Sequence, residues 1–347
     1  MDVRTALKLI ILLVVALAGA CSENSEIPVE DDTRMLFERM AYPYLTAADG
    51  MYYFIGQDAD IRIYAADCID SLSKVEPVTV WRAAEHGMDN IWSPEMVRID
   101  NKWFIYFEAD DGNTDNHQIY VIENPTDNPL TGEWIMHGPI ITDKEWNFGI
   151  HPSTFFANGR QYLVWSGWEH RRAETETQSI FIAEMENPWT LRSDRVMISS
   201  PEYEWERQWI NPNGSRSAYP IFVNENPEGF VSPDGSMAIV AYSASGIWTP
   251  YTSIGLLYAD ATADLLDPRS WTKLPEPQSP VFDTEGEMVG ISNISVITSD
   301  DGTRSDMVFQ GHNFSNGQKV PRVYVKGIRW TEKSLPDFGF SGNVTAQ

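Results

Sequence analysis

The chain has 347 residues and carries 50 Asp and Glu against 25 Lys and Arg, a formal net charge of −25. That balance excludes a nucleic-acid partner, because neutralising phosphates takes clustered Lys and Arg. With 42% hydrophobic residues, 12% aromatic residues and 13 Trp, disorder is excluded for most of the length.

The N-terminus sets the compartment. Arg4 and Lys8 make a basic start, the run from Leu9 to Ala18 is apolar, and Ala18-Gly19-Ala20 leads directly into Cys21. The run has the length of a signal-peptide core rather than of a membrane span. The segment resembles a bacterial lipoprotein signal, which implies that Cys21 is lipidated. The alternative is an ordinary cleaved signal in which Cys21 is incidental. The expected organisation is a signal peptide over 1–20, a lipidated cysteine and acidic tether over 21–33, and one folded domain over 34–347. Such a protein belongs to the bacterial cell envelope, outer membrane or periplasm, and meets the membrane only through its anchor; a monomer is expected.

A tight turn followed by an aromatic, alternating run recurs five times. Asp49-Gly50 precedes MYYFIG, Asp100-Asn101 precedes KWFIYFEAD, and Asn158-Gly159 precedes RQYLVWSGW. Asp234-Gly235 precedes SMAIVAYSAS, and Asp301-Gly302 precedes DMVFQGHN. Turns of this type between alternating runs predict hairpins. Their spacing of roughly 50–75 residues is that of a four-stranded propeller blade with its loops. No long 3.6-residue apolar period interrupts them, so the expected fold is all-β, a five-bladed β-propeller.

The innermost strand of each blade should lie just before its hairpin and deliver polar residues to one mouth of the central channel. Those segments are Ala41-Tyr42-Pro43-Tyr44, Ile91-Trp92-Ser93-Pro94-Glu95, Ile150-His151-Pro152-Ser153, Val223-Asn224-Glu225-Asn226-Pro227 and Gly290-Ile291-Ser292-Asn293. Polar groups in strand-like surroundings must be paired or face water, and a channel mouth provides water. Trp is a favoured side chain for stacking on sugar rings, which makes Trp92, Trp168 and Trp248 candidate platforms.

These segments, together with IWSPEMVRIDNKWFIYFEADDG, ANGRQYLVWSGWE, VNENPEGF and ADLLDPRSWTK, resemble glycoside hydrolase family 43 in its arabinofuranosidase-like branch, from about residue 41 to 340. The resemblance implies a five-bladed propeller and, usually, inverting hydrolysis by three carboxylates: a base Asp on blade one, an acid-tuning Asp on blade three and an acid Glu on blade four. The acid falls on Glu225. The base position reads Tyr42, the tuning position reads His151, and the blade-five His that helps to hold a channel Ca2+ falls near Ser292. No cofactor is therefore expected to be required, with a channel Ca2+ as the alternative that the replacement by Ser292 disfavours.

Three readings follow. In the first the chain is an α-L-arabinofuranosidase-like hydrolase acting on side chains of plant or algal polysaccharides. Glu225 is then the acid, and the base comes from Glu95, Asp58, Asp60 or Asp110, with Glu95 preferred and a substrate-binding role for it equally open. In the second, Tyr42 and His151 move a proton in a lyase-type elimination, with Arg207 or Arg216 neutralising a uronate. In the third the propeller binds an oligosaccharide or polysaccharide without cleaving it. Serine-hydrolase and cysteine chemistry find no motif, zinc spacing is absent, and no glycine loop cradles phosphate.

Overall fold

Each of the five aromatic runs becomes the second strand of an antiparallel blade. The computed structural model describes residues 33–170, 176–210, 216–276, 278–283, 288–299, 302–315 and 318–339. The expected signal peptide, Cys21, the tether up to residue 32, Asp301 and the Arg216 side chain lie outside the described residues.

A short strand, β1 (Arg34–Phe37), comes first. Blade one is β2 (Tyr44–Ala48), β3 (Met51–Ile55), β4 (Ile61–Ala66) and β5 (Val78–Trp81). Blade two is β6 (Asp89–Ile99), β7 (Lys102–Asp110), β8 (Gln118–Asn124) and β9 (Ile135–Pro139). Blade three is β10 (Ile150–Ala157), β11 (Arg160–Gly167) and β12 (Glu176–Asn187), edged by β13 (Thr190–Leu191) and β14 (Val196–Ser199). After β15 (Arg207–Ile210), blade four is β16 (Arg216–Val231), β17 (Met237–Ala244), β18 (Ser253–Asp260) and β19 (Thr272–Lys273). Blade five is β20 (Val289–Thr298), β21 (Ser305–Ser315) and β22 (Gln318–Trp330), with β23 (Pro336–Asp337) also on β22.

Blade five takes its outer strand from the other end of the chain. β1 pairs antiparallel with β22, Arg34 opposite Val325, so the ring closes by hydrogen bonds between its two ends. Blades three and four are also joined. The start of β12 runs parallel to β16, with Gln178 opposite Val223, two residues before Glu225.

The hydrophobic core is divided among the interfaces between blades. Ile55, Ile61 and Ile63 of blade one pack on Trp103, Ile105 and Phe107 of blade two. Phe104 and Tyr106 pack on Leu163 and Trp165 of blade three, and corresponding clusters join three to four, four to five and five to one. A strand flanked by blades on both sides is apolar on both faces, which is why β7 is buried from Trp103 through Asp110. Each large apolar side chain fully buried there contributes about 1.5–3 kcal/mol.

Three of the expected turns are two-residue hairpins with both central residues at positive φ: Asp49 and Gly50, Asp100 and Asn101, Asn158 and Gly159. The fourth and fifth are longer, since β17 begins at Met237 and β21 at Ser305.

The innermost strands share a device that the sequence showed only as a recurrent proline. Tyr42, Ser93, His151, Asn226 and Asn293 have φ of 50°, 38°, 54°, 48° and 51°, and the next residue is Pro in four of the five blades. In blades two to five the register slips by one residue there: Trp92 opposes Glu108 but Glu95 opposes Tyr106, and Glu225 opposes Ser243 but Glu228 opposes Ala241. These are β-bulges, and non-glycine residues held at positive φ cost about 1–3 kcal/mol each and cluster at functional sites. Residues up to the bulge reach the mouth; those after it face a narrow channel beneath.

Candidate active site

Tyr42, His151, Glu225, Trp92, Trp168 and Trp248 line one cavity of about 400 Å³ at the mouth. Six of the seven sequence-selected residues therefore converge, drawn from all blades but the fifth, which supplies Gln310.

Glu95 is the exception and corrects the expectation. It lies two residues past its bulge, is 2% exposed, and lines the channel of about 40 Å³ below the mouth, where its Oε1 accepts from the Thr154 amide at 2.7 Å. Its counterpart on blade four is Glu228, since both follow the proline. Burial raises the pKa of both carboxyls, and the charge of Glu95 adds to the rise at Glu228. Neither touches the mouth. The other suggested bases also fall elsewhere. Asp58 and Asp60 are in ion pairs with Arg62 and Arg82 at 3.4 Å and 3.1 Å. Asp110 accepts from Asn90 Nδ2 and the Gly112 amide and faces a neighbouring groove.

Glu225 is held from two sides. Its Oε1 accepts from the Ile247 amide at 2.7 Å, and its Oε2 stands 3.8 Å from His151 Nδ1. The preceding Asn224 donates through Nδ2 to Ser199 Oγ and to Glu206 Oε1, both at 3.1 Å, which anchors the strand. Gly246, at φ 77°, lets the chain turn beside Trp248, and a Cβ there would stand 2.8 Å from the indole. Trp248 is 40% exposed, Trp92 lies over His117 with centroids 4.2 Å apart, and Trp168 stacks flat on Phe148 at 3.7 Å. His117 is fixed in turn, its ring nitrogens facing the carbonyls of Thr114 and Asn90 at 3.0 Å and 3.1 Å.

Tyr42 and His151 are held neutral. Burial, and then the charges of Glu225 and Glu108, push the Tyr42 phenol well above its usual range. Burial, and then His117, push the His151 imidazole well below its own.

Sequence reasoning missed Asp115, Phe148, Gln178 and Gln310 in the lining, and Glu108 behind it. A signal existed for Glu108: an acid within the apolar run WFIYFEA must be buried, and a buried acid requires a reason. Asp115 comes from the loop between β7 and β8, where only the fold shows which loop leans over the mouth. Asp115 and Glu225 are the two carboxylates among the described lining residues.

Lys and Arg are absent from the described lining. Arg207 donates to the Pro201 carbonyl and lies 5.8 Å over Phe222. The Ser292 hydroxyl is 3.4 Å from the Gly290 carbonyl and from Gln310 Nε2, and His312 Nε2 lies 3.3 Å from Gln310 Nε2. Among the described residues no three His, Cys, Asp or Glu gather as metal ligands.

A family model for glycosyl hydrolases family 43 matches residues 36–336. The chain is 32% identical over 322 residues to an extracellular exo-alpha-(1->5)-L-arabinofuranosidase of Streptomyces avermitilis, spanning 88% of this chain and 63% of that protein. It is 30% identical to alpha-L-arabinofuranosidase 43 of Humicola insolens, spanning 94% and 66%. The chain thus spans somewhat under two thirds of the length of these curated relatives. The crystal structure of an alpha-L-arabinofuranosidase from Lactobacillus brevis superposes with a TM-score of 0.75 at 30% identity, over 88% of this chain and 94% of that one. The chain belongs to glycosyl hydrolases family 43.

Proposed function

We propose that the protein hydrolyses α-L-arabinofuranosyl side chains of plant or algal polysaccharides outside the cytoplasm, with Glu225 as proton donor. The observation that carries this reading is the intact Glu225, 1% exposed and fixed by the Ile247 amide, in a cavity walled by three Trp. The arabinofuranosidase relatives support the sugar, and the extracellular relative supports export. The lipoprotein-like start adds anchoring through Cys21 in the cell envelope.

Inverting hydrolysis needs a second carboxylate across the sugar, with room for water between. Asp115 is the lining carboxylate that remains, on a blade-two loop rather than on blade one, and it takes the role of base. A groove of about 540 Å³ shares Asp115 and Phe148 with the mouth and continues past Trp146, which gives a polymer a place to lie. The elimination reading lacks a cation among the described lining residues.

The test is reducing-sugar release from arabinan and from aryl α-L-arabinofuranosides by the purified protein. Glu225→Gln should lower kcat by about 10²–10⁴-fold on unactivated substrate, the usual worth of a proton donor, and Asp115→Asn by a similar factor. Glycan affinity without turnover in the parent protein would establish the non-catalytic reading instead, and absorbance from unsaturated uronate the elimination reading.

A further inference from the structure

Glu108 is a buried acid next to this site. It stands in the middle of β7, fully buried, with the His151 backbone amide and the Ser93 side chain as its nearest donors. A carboxyl in such a place costs stability unless something compensates it. Its Oε1 lies 3.7 Å from His151 Nε2, and the other ring nitrogen, Nδ1, lies 3.8 Å from Glu225 Oε2. One imidazole therefore bridges a hidden carboxyl and the proposed proton donor. Both separations exceed a hydrogen bond, as catalytic contacts often do before substrate binds.

We propose that Glu108 is a positioning residue: by accepting from His151 Nε2–H it turns the Nδ1 lone pair toward Glu225 and keeps that carboxyl protonated, the task left open by the missing acid-tuning carboxylate of blade three. The inference rests on the reading of Glu225 as proton donor. Which nitrogen of a histidine carries the proton is set by what the other nitrogen meets. The Asn226 amide points at Nδ1 from 3.4 Å and favours the same tautomer. Burial pushes Glu108 up to about 8, so near neutrality it is a carboxylic acid whose carbonyl oxygen accepts. The titratable groups that face His151 are Glu108 from β7, Glu225 from β16, Tyr42 from the segment before β2, and His117 from the loop after β7. A neutral Nδ1 can accept the Glu225 proton's hydrogen bond, which stabilises the acid form. An Nδ1–H would donate to the carboxylate and stabilise the ionised form.

The experiment compares the parent chain with Glu108→Leu and Glu108→Gln. Leu removes the acceptor at similar side-chain size, and Gln restores a neutral acceptor. The first readout is the basic limb of the kcat/KM profile on an aryl arabinofuranoside, which reports Glu225. It should move to lower pH by about one unit in Glu108→Leu, a tenfold loss above the limb, and return toward the parent position in Glu108→Gln. The second readout needs no turnover: nitrogen chemical shifts of 15N-labelled histidine should show His151 as the Nε2–H tautomer in the parent and Gln variants, and lose that preference in the Leu variant. A tautomer change in a parent without turnover upholds the Glu108–His151 coupling and refutes only the reading of Glu225. An unchanged tautomer and an unmoved basic limb in a folded Glu108→Leu protein overturn the proposal.

Discussion

The Tyr42 ring lies on the His151 imidazole, centroids 5.6 Å apart and planes inclined by 26°. Both residues sit at positive φ, Tyr42 just before β2 of blade one and His151 on the bulge of blade three. The pair fills the place where two carboxylates are expected from the family resemblance, and burial holds both rings uncharged. The centre is therefore uncharged and stacked on one side and acidic on the other.

Since the Tyr42 phenol is neither ionised nor close to ionising at neutral pH, it is a poor nucleophile or base. Tyr42→Phe keeps the stack and should change kcat less than about tenfold, below the usual 10²–10⁴-fold worth of proton transfer. Steady-state rates on an aryl arabinofuranoside measure this. A loss of a thousandfold or more would make Tyr42 a participant in the chemistry.

Trp146, 36% exposed, stands in the groove beside the mouth but not in the mouth itself. Trp146→Ala should raise KM for polymeric arabinan by up to about tenfold, a stacking contribution of roughly 0.5–1.5 kcal/mol, and leave KM for aryl arabinofuranosides unchanged. Equal effects on both substrates would remove the groove from substrate binding.

Glu206 is wholly buried and gathers five donors: Tyr242 Oη at 2.7 Å, Lys273 Nζ at 2.9 Å, Asn224 Nδ2 at 3.1 Å, and the Glu202 and Tyr203 amides at 2.5 Å and 2.7 Å. Removing one member of a buried charged network leaves the others unpaired and costs about 3–5 kcal/mol. Glu206→Ala should lose that much in urea unfolding. A loss under 1 kcal/mol would show that solvent reaches the network.

Glu95, Glu108 and Glu228 have pKa values raised by burial, Glu108 to about 8 from 4.5. A group that binds its proton more tightly when folded stabilises the fold fully below its unfolded pKa, and that stability is lost as pH rises through the folded pKa. Unfolding free energy should therefore fall between pH 5 and pH 8, by up to about 1.4 kcal/mol per pH unit for each such group. Asp143, Asp234 and Asp267 lie below their usual range, so their contribution is lost only in stronger acid. Denaturation midpoints at pH 5, 6.5 and 8 check the slope, and Glu108→Gln should flatten it. Stability rising toward pH 8 would contradict the burial of these carboxyls.

Much of this was legible in the residues. Turn chemistry and strand alternation are local, so Asp49-Gly50 before MYYFIG or Asn158-Gly159 before RQYLVWSGW states a hairpin wherever it occurs, and five such statements at blade spacing state a propeller. The positions just before the hairpins were local in the same sense, which is why Tyr42, Trp92, His151 and Glu225 were found. The equivalence of Glu95 and Glu228 was readable too: aligned on their prolines, Trp92-Ser93-Pro94-Glu95 matches Glu225-Asn226-Pro227-Glu228, although not which way the two carboxyls face.

Sequence alone determined the blade count, the innermost strands and the residues that each brings to the centre, because these depend on neighbours along the chain. Tertiary structure alone decided which face of each bulge a side chain takes, that Arg34–Phe37 closes blade five, that Asp115 leans over the mouth, and that Glu108 reaches His151 from the next blade. Those relations join residues tens or hundreds apart, and only the closing of the ring brings them within a few ångströms.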